Sequence, residues 1–168
     1  EGGTPRQLTA GNYNHRSSLS WTPDSREIFF SANRNENWAL QSRESDIFAV
    51  STNGELRQLT ATPGVETRPR VSPDGTLIAY GKTDNEKLAY RNRYLHVIGI
   101  DGENDQNLSA GIDNSVSGWV WDGNDGLHYQ LTRRGITEVG RVNLDGGHRV
   151  VATGLGGESL GRPYVSGS

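Results

Sequence analysis

Arg70-Val71-Ser72-Pro73-Asp74-Gly75, followed by Leu77-Ile78-Ala79-Tyr80, reads as a strand, a tight turn and a second strand. Pro presets φ near about −65°, Asp caps the turn with its side chain, and Gly accepts a positive φ. The layout recurs on both sides. Upstream stand Ser20-Trp21-Thr22-Pro23-Asp24-Ser25 and Glu27-Ile28-Phe29-Phe30. Downstream stand Val120-Trp121-Asp122-Gly123-Asn124-Asp125-Gly126 and Leu127-His128-Tyr129-Gln130-Leu131. Trp21, Val71 and Trp121 are spaced 50 residues apart. They are equivalent inner-strand positions, and all three are expected to be buried between neighbouring units.

A second marker closes each unit. Asp46-Ile47-Phe48-Ala49-Val50 leads through Asn53-Gly54 to Arg57-Gln58-Leu59-Thr60. Tyr94-Leu95-His96-Val97-Ile98 leads through Asp101-Gly102 to Gln106-Asn107-Leu108-Ser109. Glu138 to Leu144 leads through Asp145-Gly146-Gly147 to Arg149-Val150-Val151. Asn-Gly and Asp-Gly between apolar runs are the strongest short hairpin signal. Each unit is therefore four short strands, and no stretch carries a capped helical period.

Four antiparallel strands repeated every roughly 40 to 50 residues mark an all-β β-propeller. A β-sandwich has similar strand density but no reason to repeat its turn chemistry at one period. The blades are expected over residues 16–60, 67–109 and 117–152. An orphan outer strand is expected over residues 6–9 and an orphan inner strand over 162–166.

Composition agrees with a folded chain with a thin core. Of the 168 residues, 32% are hydrophobic, 22 are Gly, and the net charge is −3. No apolar run approaches the roughly 18 residues of a membrane span. The charge balance and lack of a basic block argue against nucleic acid. Zero Cys removes disulfides, thiolate metal sites and thiol catalysis, and leaves cytoplasm and periplasm both open. Arg outnumbers Lys by 15 to 2. The chain has no Met and opens on Glu1, so it reads as a processed chain or a piece of a longer one.

Ser-Pro-Asp-Gly after the inner strand and Arg-Gln-Leu-Thr at the outer strand resemble the WD-like repeats of Tol-type periplasmic propellers. They also resemble the propellers of prolyl oligopeptidase-family serine peptidases. Two stretches tilt the resemblance to the peptidases. Tyr90-Arg91-Asn92-Arg93-Tyr94-Leu95-His96-Val97, within Lys87 to Gly102, is similar to a blade of acylaminoacyl- and dipeptidyl-peptidase-like members. Leu127 to Gly147, ending Gly140-Arg141-Val142-Asn143-Leu144-Asp145-Gly146-Gly147, is similar to the following blade. The resemblance implies a propeller that filters substrate and docks a separate α/β-hydrolase domain. Its implied partners are the remainder of the propeller, that catalytic domain and a peptide substrate. The alternative it leaves open is a non-enzymatic Tol-like propeller that binds a protein or peptide.

The residues themselves offer no catalysis. Gly157-Glu158-Ser159-Leu160-Gly161 has the Gly-x-Ser-x-Gly spacing of the nucleophile elbow of such hydrolases, but the elbow is a strand-to-helix turn, and neither this stretch nor Ser166-Gly167-Ser168 opens a helical pattern. His15, His96, His128 and His148 show no metal-ligand spacing. Asp122-Gly123-Asn124-Asp125-Gly126 lacks the distant bidentate Glu of a calcium loop, so turn chemistry is the simpler account. No catalytic, cofactor or metal residue is assigned.

The long connections, 33–45 and 83–93 among them, all fall on one face, where repeat proteins often bind partners. Arg34, Trp38, Arg43, Lys87, Tyr90, Arg91 and Arg93 populate that face. Arg and aromatic residues are enriched at interface hot spots, so the face is a candidate for docking or substrate gating; a solvated loop surface is the plain alternative. Arg68 and Arg162 begin equivalent inner strands and are candidates for a basic channel mouth that attracts a carboxylate. Three blades leave free strand edges and apolar faces, so self-association is expected.

Overall fold

The computed structural model describes residues 3–16, 18–84 and 91–155. These residues are all-β and contain no helix. Strands β1 (Asn14–His15), β2 (Ser20–Trp21), β3 (Glu27–Asn33), β4 (Asp46–Ser51) and β5 (Leu56–Gln58) form the first sheet. Strands β6 (Gly64–Val71), β7 (Leu77–Asp84), β8 (Tyr94–Gly99) and β9 (Gln106–Asn107) form the second. Strands β10 (Val116–Asp122), β11 (Gly126–Arg133), β12 (Ile136–Asn143) and β13 (His148–Leu155) form the third. Every pairing within a sheet is antiparallel between chain neighbours, apart from β1 and β2, which share the inner edge of β3. These are propeller blades.

Side chains alternate between sheet faces with period 2, and here both faces are apolar. Phe29, Ile47 and Ala49 meet Ile78, Tyr80 and Ile98 of the second sheet. Ile28, Phe30, Ala32, Phe48 and Val50 point the other way, and Leu8 packs against them. The second sheet presents Ala79, Leu95 and Val97 to Trp119, Trp121, Leu127, Tyr129 and Leu131 of the third. The hydrophobic core is thus two inter-sheet layers rather than one centre.

Hydrogen bonds stitch the layers. Val71 donates its amide to Ser20 Oγ at 3.0 Å. Arg57 donates to the Ile100 carbonyl at 2.9 Å while gripping Glu27 with two further bonds of 3.1 Å. Trp121 Nε1–H donates to the Arg70 carbonyl at 2.8 Å.

The repeated turns take the conformation their chemistry demands. Gly75 and Gly123 have φ of 76° and 63°, and Ser25 adopts 60° at the place of Gly75. The Asp74 carboxylate accepts from Ser72 Oγ at 2.6 Å and the Thr76 amide at 3.0 Å. Asp24 accepts likewise from Thr22 and Arg26. These bonds, led by the hydroxyl in each case, hold both carboxyls below the usual carboxylate range.

The tertiary structure separates the three repeat-equivalent positions. Trp121 is 9% exposed, but Trp21 is 51% exposed, against the expectation of burial. Val71 is partly buried against the layer between the first two sheets. Trp21, on the inner edge of the first sheet, and Leu19 just before that strand are exposed, and no preceding sheet packs over them among the described residues. Residues 6–9 join no ladder; an outer strand needs a third strand to pair with, and among the described residues none stands there. The expected strand at 162–166 lies outside the described residues.

Candidate functional site: a cationic cleft on the inner edge

Each inner strand breaks its register once. β6 slips between Thr67 and Arg70, and β10 slips between Val116 and Gly118. In the first sheet His15 pairs Ala32 and Ser20 pairs Phe29, so the ladder is interrupted opposite Phe30 and Ser31. A bulge leaves residues unpaired and re-aims their side chains, and bulges concentrate beside binding sites. Arg68 sits in the β6 bulge with φ of 55°, ahead of the fully buried Pro69. A non-glycine residue in the left-handed region persists only where its surroundings impose it. Arg68 Nη1 donates to the carbonyl of Ser117, inside the β10 bulge, at 2.6 Å.

His15, Arg16, Ser18, Ser31, Thr67, Arg68 and Arg93 line a polar cleft of about 530 Å³ between the first two sheets. Arg93 is anchored by its backbone, whose amide donates to Ser115 Oγ at 3.1 Å and whose carbonyl accepts from Val116 at 2.9 Å. Its side chain crosses Gly81. Burial first, and the Arg68 guanidinium second, hold Arg93 below its usual pKa, yet an arginine there stays charged. His15 is also lowered, by burial and then by Arg34. It therefore accepts as a neutral ring the 2.8 Å bond from Arg34 Nη1. Among the described residues no carboxylate lines the cleft.

Gly81 makes the Arg93 path open. A Cβ there would lie 2.6 Å from Trp119 Cη2 and 3.0 Å from Arg93 Cδ. Gly81→Ala is therefore expected to cost about 1–3 kcal/mol by overpacking. A urea titration checks it; an unchanged midpoint would contradict this packing.

The structure distributes the other sequence-derived candidates. Arg34 stacks over Tyr13 at 4.3 Å and donates to the Ala10 carbonyl at 3.0 Å as well as to His15. It is occupied in tying residues 10–15 to the first sheet. Trp38 is half-buried in its loop and Arg43 is exposed. Arg91 donates to the Asp84 carbonyl at 3.0 Å. Tyr90, Lys87 and Arg162 lie outside the described residues. Among the described candidates, Arg68 and Arg93, assigned to different roles by sequence, share one cleft. Arg16, His15 and Ser31 join them and were not singled out for it, because equivalence by the 50-residue repeat does not survive an interruption of two extra residues in the first sheet against one in β6 and β10.

Acidic groups gather elsewhere. Fully buried Glu66 accepts from Thr60 and, at 2.7 Å, from Thr62, with Lys82 Nζ at 3.8 Å. Asp46 accepts from Gln58 at 3.1 Å. Burial, then Glu66 and Glu44, push Asp46 up to about 7. Arg141 pairs both Asp122 and Asp125 of their turn, at 2.6 and 3.2 Å. Among the described residues no group of three or more His, Asp or Glu is placed to hold a metal.

Residues 1–79 match the family model described as the dipeptidyl peptidase IV N-terminal region. The match lies upstream of the two blade stretches quoted from the sequence. No curated protein matches. Among solved structures, the fold is similar to an oligogalacturonate lyase from Vibrio parahaemolyticus (TM-score 0.67, 12% identity, 86% of this chain and 43% of that one). It is similar to a puromycin-hydrolyzing peptidase of Mycobacterium tuberculosis (TM-score 0.66, 16% identity, 83% of this chain and 23% of that one). It is also similar to TolB from Acinetobacter baumannii (TM-score 0.62, 19% identity, 91% of this chain and 35% of that one). The chain thus spans less than half the length of each. By fold it is a β-propeller portion, and over residues 1–79 its sequence matches the dipeptidyl peptidase IV N-terminal region, the propeller of prolyl oligopeptidase-family peptidases.

Proposed function

We propose that this chain is the propeller portion of a serine peptidase of the prolyl oligopeptidase family. It filters peptide substrates and docks a separate α/β-hydrolase domain, and it does no chemistry itself. The match of residues 1–79 carries this reading. The loop face with Arg43 and Arg91 is the docking side. The sheet-lined interior, with its cationic cleft, is the substrate side. A triad acts only when nucleophile, base and orienting acid meet, and the sequence around Ser159, though spaced Gly-x-Ser-x-Gly, shows no strand-to-helix pattern to build the elbow.

The likeness to TolB supports a second reading, a non-enzymatic propeller that binds a protein or peptide. Fluorophosphonate labelling separates the two. The 168-residue chain is expected to take no label. The full product of its gene is expected to take one label per chain, at a serine outside these residues. Stoichiometric labelling within the chain would overturn the proposal. A full product that takes no label would move the assignment to the Tol-like reading.

A further inference from the structure

We infer that the inner-edge cleft is a binding site for a peptide carboxylate, built by Arg16, Arg68 and Arg93 with Ser31. The inference concerns binding by this chain alone and needs no catalytic domain.

Three observations carry it. The first is charge without compensation. Three guanidiniums line one cleft, and among the described residues none of the three pairs with a carboxylate. The chain as a whole is acidic, at −3, so this concentration of cations is local. Like charges are held together against repulsion, as Arg68 does to Arg93. An anion between them would relieve that cost, and a cleft lined by one sign focuses its field on such a ligand.

The second is an unpartnered donor. Ser31 is fully buried, lines the cleft, and its Oγ has no hydrogen-bond partner. A buried hydroxyl without a partner costs free energy, and a carboxylate oxygen would accept its hydrogen bond.

The third is preorganisation. Arg68 is locked by its bulge and by Ser117, and Arg93 by its backbone bonds to Ser115 and Val116. Ordered donors lose less entropy on binding. Guanidinium forks match the planar carboxylate bidentately. With one Arg68 nitrogen occupied, its remaining N–H groups stay available. The volume, about 530 Å³, falls among small-ligand pockets and exceeds a bare ion. The other lining groups, Ser18 and Thr67, suit the polar backbone of a short peptide.

Isothermal titration calorimetry on the 168-residue chain tests this with four probes. They are N-acetyl-tetraalanine with a free C-terminus, its C-terminal amide, an amidated N-acetyl-Ala-Asp-Ala-Ala, and inorganic phosphate. The free acid or the Asp peptide is expected to bind at least tenfold tighter than the neutral amide. Whichever acid is tighter identifies a C-terminal or side-chain source. Binding is expected to weaken between 20 and 200 mM NaCl. Arg16→Gln, at an exposed position, and Arg68→Gln are each expected to weaken it about fivefold or more, with Arg68→Lys in between. Circular dichroism verifies that the variants fold. Equal affinity for acid and amide, phosphate bound as tightly as the peptides, or an Arg16→Gln Arg68→Gln double variant with unchanged Kd would each overturn the site. None of these outcomes bears on whether a hydrolase domain exists, which the fluorophosphonate experiment decides separately.

Discussion

Trp121→Ala is expected to destabilise the chain by about 3–5 kcal/mol, the range for deleting a core aromatic. Trp121 belongs to the layer between the second and third sheets, with Ala79, Leu95, Leu127 and Tyr129. Its indole N–H also supplies the 2.8 Å bond to the Arg70 carbonyl. The substitution therefore opens a cavity and deletes that hydrogen bond, and both effects have the same sign. The repeat-equivalent Trp21→Ala supplies the contrast. Trp21 is half exposed, and its removal is expected to cost less than about 1 kcal/mol, as for surface changes. Urea titration of both variants gives the answer. Equal losses would mean that the sheets do not stack as described.

Asp46→Asn is expected to stabilise the chain at pH 8 and to change it little at pH 4. Asp46 is buried, and burial, Glu66 and Glu44 raise its carboxyl to about 7 from an ordinary 3.8. The folded state therefore holds this proton more tightly than the unfolded chain does. Below about pH 4 both states are protonated and Asp46 carries no penalty. As pH rises from about 4 to about 7 the unfolded chain releases the proton first, so the folded state loses relative stability. Above about 7 the loss is complete. A difference of about three pH units corresponds to roughly 4 kcal/mol as a ceiling. Asn keeps an oxygen for the Gln58 amide and removes the charge. Glu66, raised chiefly by burial, acts with the same sign. Asp105 acts oppositely: burial raises it, but bonds from His96 and Tyr80 prevail and leave it lowered. The comparison of variant with parent isolates Asp46 from both. Urea melts at pH 4, 6 and 8 measure it, and a pH-independent difference between the two proteins would refute the assignment.

Strand, turn and repeat were legible because they are local. Pro73-Asp74-Gly75 and Asp101-Gly102 set their own backbone angles, and the apolar runs between them show two buried faces within six or eight residues. That chemistry, recurring every 50 residues, determined an all-β chain of stacked four-stranded units. Burial was not legible, because it belongs to pairs of sheets. Trp21 and Trp121 sit in the same local sequence, and only Trp121 has a sheet packed over it. Residues 6–9 repeat the outer-strand sequence of Arg57–Thr60, yet pairing requires a ladder partner that sequence alone does not place. The cleft was half legible. Arg68 stood out at the start of an inner strand, and Arg93 in a basic loop. Their meeting with Arg16 and Ser31 depends on bulges of unequal size, which shift register by one residue in β6 and by two in the first sheet. Register is fixed by which face must be buried, so the tertiary structure alone decided where these cations converge.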